Sequence, residues 1–194
     1  MRQDIPIAVI GIAMKVFTIV INIVVGIVLD GQPILGYNYG AKNYKRVKET
    51  FNLILISTLI IGILSTLIFE LCPQIVISMF GVQTALYDEF AQMTFRIFLA
   101  LVTFTCTIKM SSVFFQAVGQ PSKAAIISLA RDIILFIPLV IILPVYMGIN
   151  GALWAAPLAD VAGIIITFAF IHVFFISLNK EVTQTNSAAA RKDC

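Results

Sequence analysis

The sequence predicts an all-α membrane protein with five transmembrane helices, and three observations carry that prediction. Hydrophobic residues make up 60% of the 194 residues, against about 45–50% in a soluble domain, and mean hydropathy is +1.01. These residues gather into five continuous apolar runs, each long enough to cross a bilayer core, which takes roughly 20 helical residues. Charged residues are only 12% of the chain and fall mainly between the runs. A soluble core of this length cannot bury so much apolar surface, so lipid serves as the solvent. Hydrocarbon offers no partner to backbone N–H and C=O groups, which makes the runs helical. They are continuously apolar rather than alternating, which excludes a transmembrane β-barrel.

The first run covers residues 5–39. It is longer than a span needs, so it tilts, bends or projects from the bilayer. It closes on Gly31-Gln32-Pro33-Ile34-Leu35-Gly36-Tyr37-Asn38-Tyr39-Gly40-Ala41-Lys42. Pro33 removes a helix hydrogen bond and predicts a kink. With Gly31 and Gly36 beside it, this is a candidate hinge, and polar Gln32 and Asn38 are candidates for a substrate or ion pathway. The alternative is a static kink that only shapes packing. The second run is 51–69. The stretch 72–88, punctuated by Pro73 and Gly81, predicts a short interfacial helix on the outer face. The third run is 90–118. The fourth, 123–146, holds Pro138 and Pro144, and the fifth, 151–178, holds Pro157; broken helices mark binding regions in transporters. Tyr146 and Trp154, at the outer ends of the last two runs, fit an interfacial aromatic belt. Residues 1–180 form one unit, followed by a tail at 181–194. From Thr183 that tail is polar and rich in small residues, which predicts disorder.

Loop charge predicts the topology. Lys42, Lys45, Arg46 and Lys48 separate runs one and two, Lys123 separates three and four, and Lys180, Arg191 and Lys192 follow the fifth. The other connections hold Glu70, Asp88 and Glu89, or no charge at all near residues 146–150. The positive-inside rule then puts the N-terminus outside and the C-terminus in the cytoplasm. No cleavable signal peptide is expected at the N-terminus. The net charge of +3 belongs to these loops and argues for membrane orientation, not for nucleic acid.

Ionisable residues within the runs are the candidate functional groups, because each costs about 2.5–3.5 kcal/mol at a helix centre unless it is accommodated. At about 1.5 Å of rise per residue, Lys15, Arg96 and Asp160 lie roughly 10–15 Å inward from the outer ends of their helices. Asp30, Lys109, Arg131 and Asp132 fall in the inner half. Two layers are therefore expected, with Asp160 pairing Lys15 or Arg96 in the outer one. In the inner one, Asp30 or Asp132 would meet Lys109 or Arg131. On this reading Asp30, Asp132 and Asp160 join Gln32 and Asn38 as pathway candidates. Lys15, Arg96, Lys109 and Arg131 are candidates for charge pairs. The alternative is a set of buried clasps, or side chains that snorkel to an interface. Cys72, Cys106 and Cys194 show no CxxC spacing, so neither a disulfide nor a metal site is expected. The single histidine, His172, reads as a packed or interfacial residue. Walker, HExxH and GxSxG motifs are missing from the sequence, which argues against an enzyme.

Residues 31–42, followed by Arg46-Val47-Lys48, resemble a helix end of the multidrug and toxic compound extrusion (MATE) transporters. Phe114-Phe115-Gln116-Ala117-Val118-Gly119, Ile137-Pro138-Leu139 with Leu143-Pro144, and Gly151-Ala152-Leu153-Trp154-Ala155-Ala156-Pro157-Leu158-Ala159-Asp160 resemble later helices of that family in matching order. The resemblance implies a twelve-helix fold of two six-helix lobes around a central cavity. It implies export of cationic, amphipathic drugs in exchange for protons or sodium. The five runs are similar to helices eight to twelve, the C-terminal lobe, without helix seven or the N-terminal lobe. The implied setting is a multi-pass protein of the plasma or inner membrane. Its implied partners are membrane lipid, a small cationic drug or metabolite, and either the missing N-terminal lobe or a second copy. No cofactor and no nucleic acid is implied. Asp30 stands where the resemblance calls for a small or neutral residue, and Asp132 where it calls for Gln. Two other readings stay open. One is a flippase for lipid-linked precursors or polysaccharide units, and the other is a non-functional membrane fragment.

Overall fold

The computed structural model describes residues 4–79 and 85–190, with side-chain surroundings for 8–79 and 89–182. In chain order the elements are α1 (Asp4–Gly40), α2 (Tyr44–Leu71), α3 (Pro73–Ser78), α4 (Ala85–Phe98), α5 (Val102–Ala117), α6 (Pro121–Leu129), a π-helical turn (Ala130–Leu135), α7 (Phe136–Met147) and α8 (Ile149–Ala190). Four helical stretches are long and apolar enough to cross a membrane: Ala8–Gly40, Tyr44–Leu71, Pro121–Met147 and Ile149–Val182. Glu89–Phe98 of α4 and Val102–Ala117 of α5, bent by 43° to each other, are together long and apolar enough for a fifth. The predicted fold class therefore holds among the described residues.

Each helix buries one stripe and turns the rest outward. On α1 the buried positions are Val9, Ala13, Val16, Val20, Val24, Val28 and Leu35. Their spacing of three, four or seven residues is the period of one helix face. Met14, Ile19, Ile23 and Leu29 lie on the exposed side of the same helix, where lipid accommodates them. At Gly31 a Cβ would sit 2.5 Å from Ile54 Cδ1, and at Gly36 one would sit 3.2 Å from the Ala117 carbonyl oxygen. These two glycines let α1 press against α2 and against the end of α5. They do not mark a break, because α1 runs as one helix through Pro33 to Gly40.

Two turns at one end of the bundle close in the same way. After α1, the Asn43 amide donates to Asn38 O at 2.8 Å and the Lys42 amide to Tyr39 O at 3.1 Å, with Lys42 at φ 57°. After α5, the Gln120 amide donates to Phe115 O at 2.8 Å and the Gly119 amide to Gln116 O at 3.1 Å, with Gly119 at φ 73°. Both are Schellman closures, in which a left-handed residue redirects the chain and satisfies the last carbonyls. Asn43 then caps α2 by accepting from the Arg46 amide at 3.4 Å. The Tyr44 hydroxyl donates to Glu181 Oε2 at 2.6 Å, Lys48 Nζ donates to Asn179 Oδ1, and Gln120 Nε2 donates to the Tyr39 hydroxyl at 3.4 Å. These contacts gather the α1–α2 turn, the α5–α6 turn and the distal part of α8 at one end, as the loop charges predict. An aromatic core fills the bundle near that end. Phe51 meets Phe114 at 4.7 Å and Phe175 at 5.0 Å between ring centroids, and Phe114 meets Phe174 at 5.3 Å. These edge-on geometries suit aromatic quadrupoles.

The third run and the tail depart from the sequence reading, while the fourth run is distorted beside a proline as that reading expects. The third run breaks at residues 99–101, where hydrogen bonds shorten to i→i−3, as in Val102 N to Leu99 O at 3.3 Å. No Pro or Gly marks this place. The fourth run deforms at Ala130–Leu135, in the turn before Pro138. Proline cannot donate to Ile134 O and crowds that carbonyl, so the turn widens and the Phe136 amide bonds to Arg131 O instead. The tail, expected to be disordered, continues as helix to Ala190. A long preceding helix removes the nucleation cost, and Gln184 and Ala188–Ala190 are compatible with propagation. Of the interfacial stretch 72–88, residues 73–78 form α3 and 85–88 begin α4, and residues 80–84 lie outside the described residues.

A buried polar seam between α5, α6 and α8

Helix α5 carries Thr105, Lys109, Ser112 and Gln116 at steps of four, three and four. That is a polar stripe along one face of the helix, distinct from the row Thr103, Thr107 and Ser111. Facing it, α6 and the π-helical turn carry Ser128, Arg131 and Asp132, and α8 brings Asp160. Ser112 Oγ lies 3.0 Å from Ser128 Oγ and 3.2 Å from Ala124 O. Lys109 Nζ donates to Asp132 Oδ2 at 2.7 Å. Arg131 Nη1 donates to Asp132 Oδ1 at 2.9 Å. Arg131 Nε and Nη2 both reach Asp160 Oδ1, at 2.8 and 2.6 Å. Thr105 Oγ1 donates to Asp160 Oδ2 at 2.7 Å. Two cations thus balance two carboxylates in one connected network.

The π-helical turn shapes this centre. It places consecutive residues Arg131 and Asp132 so that their side chains meet each other and two different helices. Gly163 on α8 makes room for the arginine stem, since a Cβ there would sit 3.0 Å from Arg131 Cγ and 3.0 Å from Ile108 Cδ1. The guanidinium also lies 5.7 Å from the Phe136 ring centroid, a favourable cation–π distance. The deep half of the network is nearly closed, with side-chain exposures of 10% for Arg131 and 4% for Asp160. The other half is more open, at 26% for Lys109 and 37% for Asp132.

The structure brings together four of the charged candidates and separates the rest. Of the inner pairings left open, Lys109–Asp132 and Arg131–Asp132 form. Asp160 pairs with Arg131, not with Lys15 or Arg96, which corrects the two-layer expectation. Depths counted from opposite helix ends converge at mid-bundle, and the long arginine stem spans the remaining gap. Lys15 and Asp30 on α1 and Arg96 on α4 are exposed, and among the described residues none of the three forms an ion pair. Asn38 is buried and donates to Ile34 O at 2.8 Å, so it closes the α1 terminus. Gln32 is half-buried on the same helix and Pro33 is exposed. Thr105, Ser112, Ser128 and Gly163 were not singled out from sequence. The stripe on α5 is the signal that identifies the first two. Among the described residues no group of three or more His, Cys, Asp or Glu side chains is placed to hold a metal ion.

A bundle of long apolar helices with a charge-balanced polar seam between them is the architecture of a multi-pass membrane protein. In sequence, residues 2–142 match the MatE family model, and the chain belongs to that family. Solved structures agree in fold. The outward-facing conformation of a multidrug resistance MATE family transporter of the MOP superfamily superposes with TM-score 0.80 at 18% identity, over 89% of this chain and 39% of that one. Its inward-facing counterpart gives TM-score 0.79 at 18% identity, over 89% and 40%. The MATE multidrug transporter DinF-BH, solved in complex with a ligand, is 32% identical over 84% of this chain and 36% of that one, with TM-score 0.76. The chain therefore spans about two-fifths of the length of these transporters. No curated protein matches it in sequence.

Proposed function

We propose that this chain forms the C-terminal lobe of a MATE-type secondary transporter that exports cationic, amphipathic compounds in exchange for protons or sodium. The observation that carries the reading is a buried, charge-balanced network within a MatE-family helical bundle. Ionisable groups in hydrocarbon are costly and occur where substrates or ions pass, or where charges are paired. The mechanism we infer is alternating access by rocking of whole lobes. Support comes from the near-equal fit to an outward-facing and an inward-facing transporter, TM-scores 0.80 and 0.79, as expected of a unit that moves as one body. The complementary wall would come from an N-terminal lobe or a second copy, with the basic end of the bundle in the cytoplasm of a plasma or inner membrane.

The test is efflux of a fluorescent cationic dye, ethidium, from cells making this chain with and without a matched N-terminal lobe. Energy-dependent efflux that requires both halves is the expected result. Efflux unchanged by either arrangement overturns the transport reading and leaves a non-transporting membrane fragment.

A further inference from the structure

The basic end of the bundle is assembled from three stretches far apart in sequence. Gln120 Nε2 donates to the Tyr39 hydroxyl, which joins the α5–α6 turn to the α1–α2 turn. Tyr44 and Lys48 of α2 donate to Glu181 and Asn179, which holds the distal part of α8 against α2. Lys42, Lys45, Arg46, Lys48, Lys123 and Lys180 are thereby gathered at one end, with Glu49 and Glu181 as the acidic side chains there among the described residues. Some of these groups are engaged within the chain. Lys48 donates to Asn179, Glu181 accepts from Tyr44, and Lys123 Nζ lies 5.9 Å from the Phe115 ring centroid. Lys42, Lys45, Arg46 and Lys180 are exposed, and among the described residues none of the four forms an ion pair.

These free cations stand over exposed apolar side chains. On α2, Arg46, Leu53 and Ile60 recur at steps of seven, which is one helix face, and Leu53 and Ile60 are exposed. On α8, Val173, Ile176 and Lys180 recur at steps of three and four and are all exposed. On α1, Ile34 and Tyr37 are exposed shortly before Lys42. From Tyr37 to Lys42, from Arg46 to Leu53 and from Ile176 to Lys180 the separation is four to seven residues, about 6–11 Å along a helix axis. The headgroup region of a bilayer is about 5–8 Å thick on each side of its hydrocarbon core. Charge and apolar surface are thus spaced as they are in a phospholipid. A soluble anion would use the cations and leave the apolar strips idle.

We propose that this end of the bundle is a docking surface for anionic phospholipid, with Lys42, Lys45, Arg46 and Lys180 on the headgroup phosphates and the apolar faces of α1, α2 and α8 along the acyl chains. Clusters of roughly four to eight Lys and Arg beside a membrane-crossing helix attract anionic headgroups in this way. The fold contributes two things that loop composition does not. It brings Lys180 to the first turn of α2, and it occupies Glu181 with the Tyr44 hydroxyl. Glu49, on the α2 face between Lys45 and Leu53, opposes the interaction. The proposal concerns lipid contact alone and stands apart from the transport reading.

The experiment places the purified full chain in phosphatidylcholine nanodiscs and adds spin-labelled phosphatidylglycerol or spin-labelled phosphatidylcholine. The motionally restricted fraction of each label gives their relative association with the protein. Wild type is expected to prefer phosphatidylglycerol by about fivefold or more, the equivalent of one cation–headgroup contact. Lys42→Gln/Lys45→Gln/Arg46→Gln/Lys180→Gln is expected to bring the two lipids to parity. Lys42→Arg/Lys45→Arg/Lys180→Arg should keep the preference, and Glu49→Gln should raise it. Glu49→Gln removes no cation, so it tests the proposal even if the neutralised variant fails to fold, which circular dichroism reads. Equal association of the two lipids with wild type, an unchanged preference in the folded neutralised variant, or no rise in Glu49→Gln overturns the proposal. Loss of the preference on adding inorganic phosphate, at an ionic strength matched with chloride, assigns the cations to a soluble anion and also overturns it. Should dye efflux fail while the lipid preference holds, only the transport reading falls. Should efflux occur without the preference, only the lipid surface does.

Discussion

Arg131 shows most directly how one residue organises this bundle. Its guanidinium meets two carboxylates on two elements, and Gly163 vacates the space its stem occupies. Removing one partner of a buried pair strands the other charge, typically at about 3–5 kcal/mol. Asp160→Asn should therefore destabilise the chain by an amount of that order, read from denaturant titration of the purified protein. Arg131→Met/Asp160→Asn removes both charges and leaves Lys109–Asp132 as a neutral pair. It should be less damaging than the sum of its two single variants by about 0.5–3 kcal/mol, the range for coupled neighbours. Strict additivity would show that the two side chains do not act as a pair. The cost of the charges within the apolar runs was legible in the sequence. Which of them meet was not, because partner choice depends on how helices rotate about their axes. A one-residue change in helix register turns a side chain by about 100°.

Among the elements, the split third span is the least foreseeable. Neither Pro nor Gly lies at residues 99–101. The contact that accompanies the bend is on another helix, where a Cβ at Gly62 of α2 would approach Thr103 Cα to 2.9 Å. One turn further on, Thr66 and Thr103 share a hydrogen bond of 3.0 Å. Gly62 thus lets α2 lie against the backbone of α5 just past the break. Gly62→Leu should force the two helices apart and cost about 1–3 kcal/mol, as overpacking does elsewhere. A lowered thermal midpoint in detergent, with helicity retained, is the expected readout, and an unchanged midpoint would show that α2 and α5 do not pack this closely. By contrast, the distortion before Pro138 belongs to local chemistry. The sequence predicted interrupted helices at its prolines, and the π-helical turn lies upstream of Pro138, where the crowded carbonyl is. Pro33, Pro144 and Pro157 each lie inside a helix that continues past them.

For the whole molecule, the testable quantity is which end faces which side of the membrane. Side-chain contacts gather the α1–α2 turn, the α5–α6 turn and the distal part of α8 at a single end. Exposed Cys72 follows α2 at the other end of that helix. In a background with Cys106 and Cys194 replaced by serine, a membrane-impermeant maleimide should label native Cys72 from outside. Lys45→Cys should be labelled only after the membrane is opened. Labelling of both from one side would overturn the five-span arrangement and the topology built on it.

Composition, apolar run length and loop charge determined, without coordinates, that this chain is helical, is built of membrane-length apolar segments and keeps its basic connections at one end. These properties are set by transfer of individual segments from water to hydrocarbon, and a segment's own residues decide that free energy. The MATE resemblance was likewise carried by short contiguous stretches. Tertiary structure alone decided that Arg131 takes Asp160, that Lys109 takes Asp132, that the third span bends without a breaker, and that Gly62 and Gly163 are contact points. Those outcomes depend on helix rotation and close approach between segments distant in sequence, and the free energy of packing two helices belongs to neither one by itself.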